Sequence, residues 1–346
     1  MAKFFPFDKI LIYTSEFLIL FKENNMIRKI FAAVAALAMS GAMAFTPPKT
    51  VNVTVGYAPG SGNETSFRGV AAIVERANPN INFVVTNRPG ADEVVALNQF
   101  MKLPGDGHNL YITSQQGVFT TIEQWYPEQI KFNPLDMELV TTIAKSPLAV
   151  IATVNSPTNT PQELLARLKN TTQPITFGLG AGAHKLVFEY LMDRGRGNHD
   201  QVKAIMYRGP AQAAQDVAGG QVEFGIMPTA VAYSLYKAGK IKYIALASEF
   251  KMTALPDVPL WKDSGMPGLN IYGAWMIALP PGTPREIVKY YQDLFVPAIR
   301  SAEARSFFDA NLMFPVPAEQ SPEGARKFIM SIREQWIPYV KKMKLD

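Results

Sequence analysis

The chain contains no cysteine in its 346 residues, which excludes disulfides, thiol nucleophiles and thiolate-bound metals together. Histidine is nearly as scarce. His108, His184 and His199 fall in different segments, with no spacing suited to zinc and no G-x-S-x-G nucleophile elbow elsewhere. No apolar run reaches the ~20 residues that a membrane-spanning helix needs. Strong charge is missing too: 34 basic and 29 acidic side chains leave a formal +5, falling to +3 from Phe45 onward. The basic residues are scattered, with a cluster only at Lys341, Lys342 and Lys344, so no nucleic-acid footprint is expected. Internal repeats and low-complexity linkers are also absent, which points to lobes joined by crossing strands rather than beads on a string. No pair of carboxylates is set apart by local sequence, so neither a catalytic site, a metal nor a cofactor is expected.

What is present begins with an export pattern. Met26-Ile-Arg28-Lys29 is a positive start, Ile30 to Met39 an apolar stretch, and Ala42-Met43-Ala44 a small-residue cleavage pattern; together they read as a secretory signal peptide over 26–44. Residues 1–25 then read as an upstream extension, with Met26 as the start and Phe45 as the first residue of the mature exported chain.

Two glycine-rich loops carry the functional reading. Tyr57-Ala-Pro-Gly-Ser-Gly-Asn-Glu64 follows the alternating Val51, Val53 and Val55, and precedes Phe67, Val70, Ala71 and Val74 at helical spacing. Gly178-Leu-Gly-Ala-Gly-Ala-His184 follows a short apolar run and precedes Val187, Tyr190 and Leu191. A strand that ends in such a turn leaves the first turn of the next helix with unpaired N–H groups and partial positive charge, so a carboxylate or phosphate can sit there without a basic side chain. Each loop alone is equally an ordinary strand-to-helix connection; two of similar design suggest a shared small anion.

Elsewhere strands alternate with helices, which implies an α/β fold with mainly parallel sheets. Ile81 to Thr86, Asn109 to Thr113, Val140 to Ala144, Leu148 to Val154 and Ile241 to Ala247 read as strands. Thr160-Pro-Gln-Glu163 reads as a capping box with proline at the first helical position, and Thr283-Pro-Arg-Glu286 as a repeat of it. Helices are expected over Ala211 to Ala218, Ala230 to Ala238, Thr283 to Arg300 and Ser321 to Lys342.

An ordered set of short motifs runs through nearly all of the mature chain: Tyr57-Ala-Pro-Gly60 with Glu64, Thr65 and Arg68; Asn87-Arg-Pro-Gly-Ala91; Phe132-Asn-Pro-Leu135; Gly178-Leu-Gly-Ala-Gly with His184; Tyr207-Arg-Gly209; Gly219-Gly-Gln-Val-Glu223; Leu255-Pro-Asp-Val-Pro259; and Pro281-Gly-Thr-Pro284. In this set the chain resembles the solute-binding receptors of the tripartite tricarboxylate transporter family, often called Bug proteins. The resemblance implies a type II two-lobed periplasmic binding protein, with a first lobe of 45–149 and 272–346 and a second of 150–271. It implies crossings near Ala149 to Val154 and Asn270 to Leu279. A monomer of this kind closes on a small organic acid, a dicarboxylate, tricarboxylate or aromatic acid, and delivers it to a large and a small membrane subunit.

The candidate ligand-binding residues are Tyr57, Ala58, Gly60, Ser61, Asn63 and Glu64 in the first loop, and Gly180, Ala181, Gly182, Ala183 and His184 in the second. Ser114 and Gln115 at a strand tip, Arg208 and Met227 complete the set. His184 either bonds a ligand oxygen or caps its own loop, and Arg208 is placed for a second carboxylate. Phe119, Trp125 and Trp275 are lining or core residues. The chain departs from the family at Ser61 and Glu64, at Asp92-Glu93-Val94 where glycines are usual, and at Met227 where Asp is frequent. Loss of that Asp favours a plain or aromatic carboxylate over an amino acid. Two other readings stay open: an extracytoplasmic carboxylate sensor with the same cleft, and an NADP-dependent oxidoreductase built on Gly178-x-Gly180-x-x-Ala183, with Arg208 on the 2′-phosphate.

Overall fold

The computed structural model describes residues 45–115 and 117–341. The signal peptide and upstream extension expected from the sequence, Gln116, and Lys342 and Lys344 lie outside the described residues.

The chain starts with β1 (Thr50–Val55), α1 (Gly62–Ala77), β2 (Asn82–Asn87), α2 (Val94–Phe100) and β3 (Asn109–Ser114). A π-turn over Gly117–Thr121 runs into the short α3 (Ile122–Trp125). Then follow β4 (Glu138–Thr153), α4 (Pro161–Asn170), β5 (Ile175–Leu179), α5 (Gly182–Gly195), β6 (Val202–Met206), α6 (Pro210–Ala218), β7 (Phe224–Pro228), α7 (Thr229–Lys237) and β8 (Ile241–Ala247). The chain closes with β9 (Tyr272–Leu279), α8 (Arg285–Arg300), α9 (Ala302–Ala310) and α10 (Pro322–Val340).

The strands form two sheets that share β4. In the first the order is β2-β1-β3-β9-β4; in the second β4 lies between β7 and β8, and β7 leads on to β5 and β6. The parallel pairings are those of β1 with β2 and β3, and of β5 with β6 and β7. The long β4 runs antiparallel to β9, β7 and β8.

Val140–Ala144 and Leu148–Val154, expected as two strands, fall in one, β4, which ends at Thr153. Pro147 pairs with Tyr272 at the end of the first sheet, and Leu148 opposite Pro228 and Ala247 begins the second. A residue without an N–H is tolerated at that changeover, where a ladder bond is not required. The return is as abrupt: the Ile271 carbonyl accepts from Leu148 N–H and Ile271 N–H donates to Ala247, while Tyr272 already belongs to the first sheet.

Burial follows sequence pattern. Val51, Val53 and Val55 are fully buried, and so are Phe67, Val70 and Val74 on the inner stripe of α1. Phe67, Phe83 and Phe295 clasp one another with ring centroids 5.4 to 5.8 Å apart, each burial contributing about 1.5–3 kcal/mol by area. In the second lobe Phe177 stacks on Phe224 at 5.0 Å. Helix α10 serves both cores: Ala325 and Ile329 join the first-lobe cluster, whereas Ile332, Trp336 and Val340 pack in the second-lobe cluster. The capping box at Thr160 and Glu163 forms with both reciprocal bonds. Its expected repeat does not, because α8 starts without a side-chain cap and Thr283 Oγ1 donates to the Pro280 carbonyl instead.

Candidate functional site in the interlobe cleft

The first loop is built around its helix start. Gly60 takes φ +80°, a left-handed conformation that glycine adopts without a Cβ clash, and Ser61 caps α1 by accepting from Glu64 N–H. Glu64 turns back: its carboxylate accepts from Gly60 N–H at 3.1 Å, Asn87 Nδ2 at 3.3 Å and Arg68 Nε at 2.7 Å. Asn63 Nδ2 donates to the Ile112 carbonyl at 3.0 Å, tying the loop to β3. These bonds orient the Gly62 and Asn63 end of α1 toward the second lobe.

The second loop is tighter. A Cβ on Gly180 would meet the Pro210 backbone, with Cα at 2.5 Å, so the absence of a side chain there lets α5 and α6 start side by side. Ala181, the N-cap of α5, offers no side-chain acceptor. Gly180 N–H donates to His184 Nδ1 at 3.2 Å. Burial holds His184 down to about 3, so its ring is neutral with the proton on Nε2. His184 thus caps its own loop and still lines the cavity.

Between these two helix starts lies a small cavity of about 30 Å³. Tyr57, Ser61, Asn63 and Ser114 line it from the first lobe, and Ala181, Ala183 and His184 from the second. Its apolar walls are Leu148, Pro210, Pro228 and Trp275. Gly62 comes so close under Trp275 that a Cβ there would sit 2.9 Å from Nε1. Among the described residues lining this cavity none is Lys or Arg.

An outer chamber of about 220 Å³ shares Tyr57 and Ala181 with the inner one and adds Gly180, Asp92, Tyr126, Tyr207 and Arg208. Arg208 therefore stands at the mouth. The other candidates are held away from the inner cavity. Ala58 packs against Gly209, and a Cβ on Gly60 would lie 3.3 Å from Ala211 Cβ. Gln115 is fully buried with neither amide atom paired. Met227 is fully buried in the second-lobe core, and its neighbour Pro228 reaches the cavity instead, as strand alternation requires. Trp275 is a lining residue, whereas Phe119 and Trp125 belong to the cores.

Sequence reasoning assigned no role to two carboxylates. Asp92 Oδ2 accepts from Gly182 N–H at 3.0 Å and from Thr121 Oγ1 at 3.3 Å, and Asp92 Oδ1 accepts from the Tyr57 hydroxyl. Glu93 accepts from Ser114 N–H at 3.1 Å and from the Ser114 hydroxyl. Burial raises the Asp92 carboxyl. Burial, reinforced by the Asp92 charge, pushes Glu93 up to about 8. Ala91, Asp92 and Glu93 all carry positive φ, between 45° and 80°, a conformation that costs about 1–2 kcal/mol per non-glycine residue. The sequence signal was there: these are the positions where the chain departs from glycine.

The arrangement can hold a small anion against backbone donors, hydroxyls and a neutral imidazole, with apolar surface around its body. Among the described residues no group of three or more His, Asp or Glu is placed to hold a metal ion, and no helix is long and apolar enough to cross a membrane.

Comparison with known proteins gives the family and the fold. A family model described as tripartite tricarboxylate transporter family receptor matches residues 70–345. Protein BugT of Bordetella pertussis is 24% identical over 316 residues, 90% of this chain and 94% of that protein. The solved periplasmic binding protein BugD superposes with a TM-score of 0.79 at 22% identity, covering 86% of this chain and 98% of that one. R. palustris Rpa4515, solved with adipate, gives 0.78 at 22% identity, covering 85% and 96%.

Proposed function

The chain belongs to the tripartite tricarboxylate transporter family of receptors, and from that premise we propose that it is a periplasmic protein that captures a small organic carboxylate between its lobes and delivers it to a two-subunit membrane permease. It is a substrate-binding protein and not an enzyme, which sets aside the dinucleotide reading of Gly178-x-Gly180-x-x-Ala183. The observation that carries the ligand class is the inner cavity, where the starts of α1 and α5 face each other with no Lys or Arg among the described lining residues. Backbone N–H groups there can hold a carboxylate in a water-poor setting without the desolvation cost of a buried lysine. Adipate in Rpa4515 supports the same class. Leu148, Pro210, Pro228 and Trp275 suit an apolar body on that acid, and Met227 in the core removes one acidic partner for an ammonium group.

A thermal-melt panel of the purified protein tests this reading, with carboxylic acids set against phosphate, sulfate and NADP. An acid at about 100 times its dissociation constant adds about 2.7 kcal/mol of stability, a shift of a few degrees in a domain of this size. A shift with carboxylates alone is expected. A shift with phosphate, sulfate or NADP and with no acid overturns it.

A further inference from the structure

The start of α5 is already occupied by an anion, and that anion belongs to the chain. Gly182 N–H, the first amide of this 14-residue helix, donates across the cleft to Asp92 Oδ2 at 3.0 Å. Asp92 comes from the loop between β2 and α2 in the other lobe, and the Tyr57 hydroxyl and Thr121 Oγ1 complete its shell. A Cβ on Gly182 would strike both Asp92 Oδ2 and, at 2.6 Å, Thr121 Oγ1, so this approach exists only because residue 182 is glycine. The loop that carries Asp92 is itself strained. Three successive non-glycine residues, Ala91, Asp92 and Glu93, stand in the left-handed region, a strained path that persists only where the surroundings over-determine it.

We infer that Asp92 is a specificity-determining residue: its carboxylate fills the anion position at the start of α5, so that the cavity takes one external carboxylate, at the start of α1, and rejects ligands that carry two. The inference rests on the carboxylate reading above and narrows it. Ser61, Gly62 and Asn63 line the inner cavity, and beyond Tyr57 and Ala181, which both spaces share, Asp92 lines the outer chamber. An acid with an apolar tail meets donors at one end and Pro210, Pro228 and Trp275 along its length. A second carboxylate directed at the start of α5 would meet the Asp92 carboxylate, which already takes the Gly182 amide, and close like-charge juxtaposition is unfavourable. Arg208 lines the same chamber as Asp92 but is exposed, so solvent screens its charge.

The test is calorimetric titration of the full protein with matched pairs of equal chain length or ring: hexanoate and adipate, pentanoate and glutarate, benzoate and phthalate. Wild type should bind at least one monoacid about tenfold or more tightly than its diacid partner, by the logic of charge repulsion. Asp92→Asn keeps the size and removes the charge, and it should collapse that ratio. Asp92→Gly empties the position and should favour the diacid. Thermal melts establish that each variant is folded; should either fail to fold, the wild-type ratio alone decides. Equal binding of both members of every pair by wild type, or a ratio unchanged in folded Asp92→Asn, overturns the inference and leaves the carboxylate reading standing. Absence of binding by any acid to wild type and both variants overturns the carboxylate reading, and the inference with it.

Discussion

The backbone amide of Gly182 and the carboxylate of Asp92 meet at 3.0 Å across the cleft, one from each lobe. Gly182→Ala forces Asp92 and Thr121 out of this contact, at an expected cost of about 1–3 kcal/mol, typical of overpacking. Asp92→Ala removes the atom that is struck, so the double variant should lose less than the two single losses together. Urea midpoints of the four proteins measure this coupling; additive losses would show that the contact carries no energy.

Glu93 gives a pH dependence of definite sign. Its carboxyl stands near 8 in the folded chain against 4.5 when free, so the folded state binds the proton more tightly. The stability it contributes is complete below pH 4.5 and is lost as the pH rises toward 8, with a slope approaching about 1.4 kcal/mol per unit. Glu93→Gln should flatten this segment and be the more stable protein at pH 8. His184 acts oppositely and at lower pH: held near 3 against 6.5, it contributes stability that fades as the pH falls below 6.5. Chemical denaturation of wild type and Glu93→Gln across this range separates the two; parallel curves would contradict the assignment to Glu93.

Lys145 and Glu319 form a buried ion pair at 2.6 Å between β4 and the segment before α10, with Lys145 Nζ 3.1 Å from the centroid of the Phe328 ring. Burial lowers the Lys145 ammonium and raises the Glu319 carboxyl, so desolvation outweighs their attraction on each side. Glu319→Ala leaves a buried cation and should cost about 3–5 kcal/mol, whereas Lys145→Met with Glu319→Leu should restore most of it. Melting temperatures of the single and double variants decide, and a double variant no better than the single would refute the account.

Much of this was legible in the chain because the local signals were unopposed. Val51, Val53 and Val55 alternate since one face of β1 is buried, and the spacing of Phe67, Val70 and Val74 marks the stripe of α1 that packs on it. The two glycine loops announced the helix starts that face the cleft. Long-range structure was hidden. The continuity of β4 is hidden because a sequence cannot show that a sheet changes over at Pro147. Helices α2 and α9 are short and were passed over. Glu64 carries charge and sits in the right loop, yet local hydrogen bonds consume its carboxylate. Trp275 and Pro228 reach the cavity only through the crossing strands and their neighbours. Asp92 was visible as an oddity in a glycine-rich stretch, but its partner lies 90 residues away.

The cavity at the start of α1 is the centre of the account, and Gly62 is a residue whose change addresses it directly, since a Cβ there would overlap the buried Trp275 ring. A Cβ there runs into the Trp275 indole, 2.9 Å from Nε1, so Gly62→Ala narrows the space where the acid's carboxylate is expected. The most direct measurement is calorimetric titration of wild type and Gly62→Ala with the acid that gives the largest thermal shift. The account predicts one site in wild type and at least about a tenfold loss in the variant, the scale of one disrupted buried contact, with both proteins folded by their melting curves. Equal affinity in the two proteins would place the acid elsewhere and contradict the assignment of this cleft.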